Sequence, residues 1–247
     1  TYFLQVADGL GGSGGFSHAQ LCPEAMQKDS FFDTVFAGAF PELNNVDRAR
    51  VKAYAEASLE KYFALDTEQK TDRRCIYTSG YFASRLVSTL MYGYLSEMGE
   101  ACICEMIEKV AGADEGKQEL CKKIGEHFTE KVYSGLSEAA KQGNFFKETK
   151  NVSRSVLLLP TTLVTMLYKE YEEYVDVVFL WAGDSRGYAW DGKGLVQITK
   201  DHENDSVMYN QIYLPDASMN VTKPFYIECT YQRVAKPCML FCTSDGC

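Results

Sequence analysis

Apolar positions form short strand-like runs at the two ends of the chain and fall into helical steps in its middle. Tyr2, Phe3, Leu4 and Val6 predict a short strand, and the glycine-rich run 9–15 that follows predicts a loop. From about 47 to 143 the period changes. Val51, Tyr54, Ala55, Leu59, Tyr62 and Phe63 recur at three- and four-residue steps, which puts them on one helical face. Phe82, Leu86 and Leu90 repeat the step, the pattern runs on through Met106, Ile107 and Val110, and Leu120, Ile124, Phe128 and Val132 predict a further helix over 120–136. The polar stretch 66–74 reads as a linker between the first two helices. After Lys150 the β signals return. A β-branched run at 161–167 precedes apolar runs at 175–180, 187–190 and 195–198. The last three, joined by turns at Gly183-Asp184-Ser185-Arg186 and Asp191-Gly192, predict an antiparallel meander, and 225–231 and 239–243 add two strands. Strands, then helices, then strands predict an α+β domain in which a sheet or sandwich is flanked by helices.

Length changes this picture little: 247 residues suit one large domain or two small ones. Charge excludes more. A net charge of -9 disfavours nucleic acid, whose backbone needs a basic face. It still permits phosphate chemistry if divalent cations supply the positive charge. The nine cysteines include no CxxC pair and only His18, His127 and His202 could assist them, so neither a zinc site nor a disulfide scaffold is expected. Reduced thiols in the cytoplasm fit better. No signal peptide is visible, and the most apolar stretch, 156–167, is too short for a bilayer and is interrupted by Pro160. Neither membrane nor nucleic acid is expected as a partner.

Three turns share one design, in which an apolar strand ends and an Asp follows beside Gly: Ala7-Asp8-Gly9, Gly183-Asp184-Ser185 and Ser244-Asp245-Gly246. The sheet can hold a carboxylate at its rim, and the adjacent Gly lets the backbone come close enough for its carbonyl to serve as a ligand. Several such oxygens at one rim suit Mg²⁺ or Mn²⁺. Any single Asp-Gly is ordinary turn chemistry; the ordered set carries the signal.

That set resembles the PPM-type metal-dependent protein serine/threonine phosphatases. Val6-Ala7-Asp8-Gly9-Leu10-Gly11-Gly12 is similar to the family's VxDGxGG element, and Thr161-Thr162 sits where the family has a Thr-Thr-containing strand, with Pro160 in place of a small residue. Gly183-Asp184-Ser185-Arg186-Gly187-Tyr188, followed by Ile198-Thr199-Lys200-Asp201-His202, resembles GDSRxY and LTxDH, and Leu240-Phe241-Cys242-Thr243-Ser244-Asp245-Gly246 resembles LxLxSDG. The order along the chain is also the family's.

The resemblance implies a β-sandwich of two antiparallel sheets flanked by helices, with two Mn²⁺ or Mg²⁺ ions, and possible room for a third, at one end. Asp8 would bridge the ions, the Gly9 carbonyl would contact one, and Asp245 would bind the other. Asp184 would lie beside Asp245, behind the direct ligands or on a third ion. Asp8 and Asp245 are thus the catalytic candidates, acting through bound metal and water on a phosphoserine or phosphothreonine of a phosphoprotein substrate. No protein nucleophile is needed, and no organic cofactor is implied. Leu10 stands where some family members carry a His. Arg186 is read as tying its turn to a neighbouring carboxylate, His202 as ordering the loop that leaves the strand, and His18 as a loop residue rather than a general acid.

An acidic pair expected before Asp8 and a final metal-binding Asp would fall before Thr1 and beyond Cys247. The resemblance therefore implies a single phosphatase-like domain, 1–247, cut at both ends. Without those elements the alternative is a catalytically inactive pseudophosphatase serving as a binding or scaffolding module. The span between Asp8 and Asp184 exceeds a minimal member's. The helical region 47–143 is therefore expected to include an enlarged insertion, a possible surface for a protein partner.

Overall fold

The computed structural model describes residues 2–9, 24–71, 79–145, 157–205, 207–215 and 224–244. Strand β1 (Tyr2–Val6) is followed by a 3-10 turn (Glu24–Met26) and the helices α1 (Lys28–Val35), α2 (Asn45–Ser58), α3 (Glu60–Phe63), α4 (Thr67–Thr71), α5 (Ser79–Ala111) and α6 (Lys117–Gln142). Ten described strands come after them: β2 (Leu158–Thr161), β3 (Leu163–Glu170), β4 (Tyr174–Ala182), β5 (Arg186–Trp190), β6 (Leu195–Gln197), β7 (Glu203–Asn204), β8 (Val207–Met208), β9 (Ile212–Leu214), β10 (Glu228–Ala235) and β11 (Met239–Thr243). The α+β reading holds.

The main sheet runs β1-β3-β4-β10 and a second sheet runs β11-β5-β6, with every pairing antiparallel. Alternation along β3 and β4 sorts their side chains into two cores. Leu163, Leu167, Val178, Leu180 and Ala182 pack with the helices. Val164, Met166, Val177, Phe179 and Trp181 face the other way, joining Ala189 of β5 and Val234 of β10 between the sheets. Covered on both faces, these two central strands are almost continuously apolar. Each fully buried side chain of this size contributes about 1.5–3 kcal/mol. The one carboxylate buried in β4, Asp176, accepts a forked pair of bonds from Arg233 at 2.7 and 2.9 Å and a third from Tyr231 at 2.5 Å.

The helical layer follows the three- and four-residue steps. In α2, Asn44 caps the first turn by accepting from the Asp47 N–H at 2.9 Å, and Val51, Ala55 and Leu59 are buried. In α6 the buried row is Cys121, Gly125, Phe128, Val132, Leu136 and Ala139. Helix α5 is buried on most of its surface up to Leu95, because the sheet lies on one side and α2 and α6 on others; it is interrupted at Gly99, where φ is 72°. Gln5 ties β1 to this layer by donating to the Ser88 carbonyl at 3.0 Å.

Four expectations are corrected. Helix begins well before 47: α1 forms on Phe31, Phe32 and Val35, which join Phe36 and Phe40 in a buried aromatic cluster. The polar stretch from 66 is not wholly a linker, since it carries the short α4. The predicted meander is split between two sheets. β4 belongs to the main sheet and β5 to the second, so the chain changes layer at Gly183-Asp184-Ser185. Similarly, 161–167 is not one strand. The chain breaks at Thr162, leaving β2 paired with β9 and β3 in the main sheet.

Candidate functional site

Antiparallel register brings the exits of the strands that precede the acid-bearing motifs to one end of the sandwich. Val6, the last residue of β1, pairs with Val164 near the start of β3, and Leu163 pairs with Ala182, the last residue of β4. Four residues later β5 opens at Arg186, whose partner is Thr243, the last residue of β11. The exits of β1, β4 and β11 therefore share an edge, and Asp8 and Asp184 each lie two residues beyond one of those exits. Asp245 lies two residues beyond the third and outside the described residues, as do Leu10, Gly11, Gly12, His18 and Gly246.

The first two turns are fastened to each other through Thr162. The Asp8 carbonyl accepts from the Thr162 N–H at 2.9 Å and from Thr161 Oγ1 at 2.6 Å. Thr162 Oγ1 meets Ser185 Oγ at 2.6 Å, both residues being 1% exposed. With its carbonyl so held, Asp8 is half-buried, as is Asp184. Gly183 has φ 99°, a region that favours glycine, and a Cβ there would lie 2.5 Å from Thr162 Cγ2. Gly9 meets a second requirement beside the one expected from sequence. A Cβ on it would lie 2.3 Å from the Gly80 carbonyl oxygen, so its bareness lets the turn rest on the first turn of α5.

Behind Gly183 stands His202, buried and stacked on Trp181 with ring centroids 5.9 Å apart. Its Nδ1 accepts from the Gly183 N–H at 3.0 Å and from Asn210 Nδ2 at 2.9 Å, while the His202 backbone N–H donates to the Gly183 carbonyl at 3.1 Å. These bonds put the ring proton on Nε2, which lies 3.4 Å from Glu228 Oε1. Burial lowers the pKa of His202 and outweighs the opposing pull of Glu228 and Asp201. Arg186 is committed to Asp201: Nε donates at 3.0 Å and Nη2 at 2.7 Å, and Gln197 adds a bond to the same carboxylate at 2.7 Å. The structural readings of Arg186 and His202 agree with this geometry. Ser185 and Asn210 were not singled out from sequence; Ser185 lies inside the quoted motif, whereas nothing local marks Asn210.

Among the described residues no three His, Cys, Asp or Glu side chains cluster as a metal group. The oxygen chemistry on this edge, two carboxylates and the backbone of Gly9, is the hard-donor type that suits Mg²⁺ or Mn²⁺. Among the described residues no helix is long and apolar enough to cross a membrane.

No family model matches the chain, and no curated protein matches it. Among solved structures it is similar to one described as PppA, a key regulatory component of T6SS in Pseudomonas aeruginosa. Identity is 18%, the match covers 68% of this chain and 60% of that one, and the TM-score is 0.35. The chain thus spans less than two thirds of that structure, and an overlap this loose leaves the functional reading to the residues themselves.

Proposed function

We propose that the protein is a PPM-type phosphoprotein phosphatase that hydrolyses phosphoserine and phosphothreonine with Mn²⁺ or Mg²⁺. The carrying observation is the shared edge at which β1, β4 and β11 end, with Asp8-Gly9 and Gly183-Asp184 fastened together through Thr162. Asp8, the Gly9 carbonyl and Asp245 would hold the ions, and Asp184 would lie beside Asp245 or take part in a third position. Bound, such ions supply positive charge against the transferring phosphoryl oxygens and acidify a water. The chain's own contribution is placement. The bonds from Thr161 and Thr162 fix the Asp8 turn, and His202 with Asn210 fixes the Gly183 turn, so little rearrangement is needed when charge develops.

The whole chain would act as one phosphatase-like domain. α5 and α6 close its core, so recognition of a phosphoprotein or protein partner falls to the outer surface of the helical region. Hydrolysis of a phosphoserine peptide in the presence of Mn²⁺, compared between the natural protein and Asp245→Ala, tests the reading. Mn²⁺-dependent turnover lost in the variant supports it, and equal turnover in both refutes it. Mn²⁺ binding without turnover would assign the protein instead to the inactive, scaffolding alternative.

A further inference from the structure

Helix α6 lies on β10 in a regular register. Lys117 Nζ sits 4.6 Å over the ring of Tyr231. A Cβ on Gly125 would stand 2.3 Å from the Ile227 carbonyl oxygen and 3.6 Å from Cys229 Cβ. Thr129 Oγ1 accepts from the Ile227 N–H at 2.8 Å. Four residues of helix advance about 6 Å and two residues of strand about 6.7 Å, so the row 117, 121, 125, 129 runs beside 231, 229, 227 without losing step. Cys121 occupies the position in that row between Lys117 and Gly125, which sets it opposite Cys229. Both thiols are free. The bare Gly125, one turn along, is what lets the helix come this close.

We propose that Cys121 and Cys229 form a modification site at which a peroxide closes a disulfide, stapling α6 to the main sheet. Cys121 is the attacking partner. Its neighbour Cys229 and the charge of Lys117 hold its thiol below the usual range, whereas the neighbouring Cys121 and burial push the Cys229 thiol up. The Cys121 thiolate attacks one peroxide oxygen, the O–O bond breaks, and the departing hydroxide takes up the proton Cys121 had released, leaving a sulfenic acid and one water. Cys229 then attacks the Cys121 sulfur and expels hydroxide, which leaves as a second water with the Cys229 proton. Two thiols and one hydrogen peroxide give one disulfide and two waters. The pair lies in the helix–sheet layer, and its closure requires nothing of the acidic turns.

The folded protein is treated with hydrogen peroxide, its remaining thiols are alkylated, and unreduced peptides are mapped by mass spectrometry. A linked peptide joining Cys121 to Cys229, released by dithiothreitol, is expected. The oxidised form should also melt about 5–10 °C higher than the reduced one, and Cys229→Ser should abolish that rise. Alkylation of both cysteines after oxidation, a sulfinic acid on Cys121, or a link from either to a different cysteine overturns the proposal. Should Cys229→Ser fail to fold, the peptide map of the natural protein decides alone.

Discussion

Replacing Thr162 by Val removes one hydroxyl from the contact that joins the two acidic turns and keeps the side chain's shape. Thr162 and Ser185 are each 1% exposed, and their oxygens are 2.6 Å apart. Without Thr162 Oγ1, the Ser185 hydroxyl is left buried and unpaired, which costs about 1–3 kcal/mol. Ser185→Ala strands the other hydroxyl at a similar cost. Removing both leaves nothing unpaired, so the double variant should fall short of the sum of the singles by about 1–2 kcal/mol. Urea unfolding of the four proteins, with unchanged slopes as the check on two-state behaviour, measures this coupling. The singles should also lose phosphopeptide turnover, roughly tenfold or more, because a turn displaced by a fraction of an ångström misplaces its carboxylate. Losses that add within about 0.5 kcal/mol would show that Thr162 and Ser185 act independently and would refute the fastening of the turns.

Gly9→Ala puts a methyl group 2.3 Å from the Gly80 oxygen and 2.5 Å from its carbonyl carbon, and both neighbours are backbone. The turn or the start of α5 must move by about 1 Å. A cost of about 1–3 kcal/mol and a fall in melting temperature of about 3–10 °C are expected, with weaker Mn²⁺ binding by calorimetry; unchanged stability would contradict the close approach. His202 faces Glu228, Asp201 and Lys200 as well as the rings of Tyr209 and Tyr226, and burial sets its folded pKa below the unfolded value of about 6.5. Its contribution to stability is therefore complete above about pH 6.5 and is lost as pH falls from there toward the folded pKa. His202→Gln should flatten the decline in urea midpoint over that window, and an equally steep decline in the variant would exclude His202 as its source.

Much of the layering was legible because period reports burial. The continuous apolar runs of β3 and β4 and the four-residue rows of α5 and α6 are determined by which faces must leave water. Period does not report what covers a face. Val175 and Ala189 lie in neighbouring apolar runs, yet their strands belong to different sheets, because the left-handed Gly183 carries the chain across the sandwich. The break at Thr162 was hidden for a related reason. Thr161, Thr162 and Thr165 read as one β-branched run, and only β9, well along the chain, draws β2 out of the main sheet. At the candidate site the Asp8-Gly9 and Gly183-Asp184 motifs mark where β1 and β4 end, and the sandwich register explains why the exits of β1, β4 and β11 converge. The tie from His202 and Asn210 to Gly183 spans segments distant in sequence, so no local spacing announced Asn210. The need for Gly9 was legible as a need for closeness, although the neighbour is α5.

An anomalous-difference map from crystals soaked in Mn²⁺ interrogates the shared edge without relying on turnover. Manganese contacting the Asp8 carboxylate and the Asp245 carboxylate together, with Asp184 adjacent, is the expected result. Ordered density in which Asp8 and Asp245 point to separate regions and share no ion would contradict the metal-centred phosphatase.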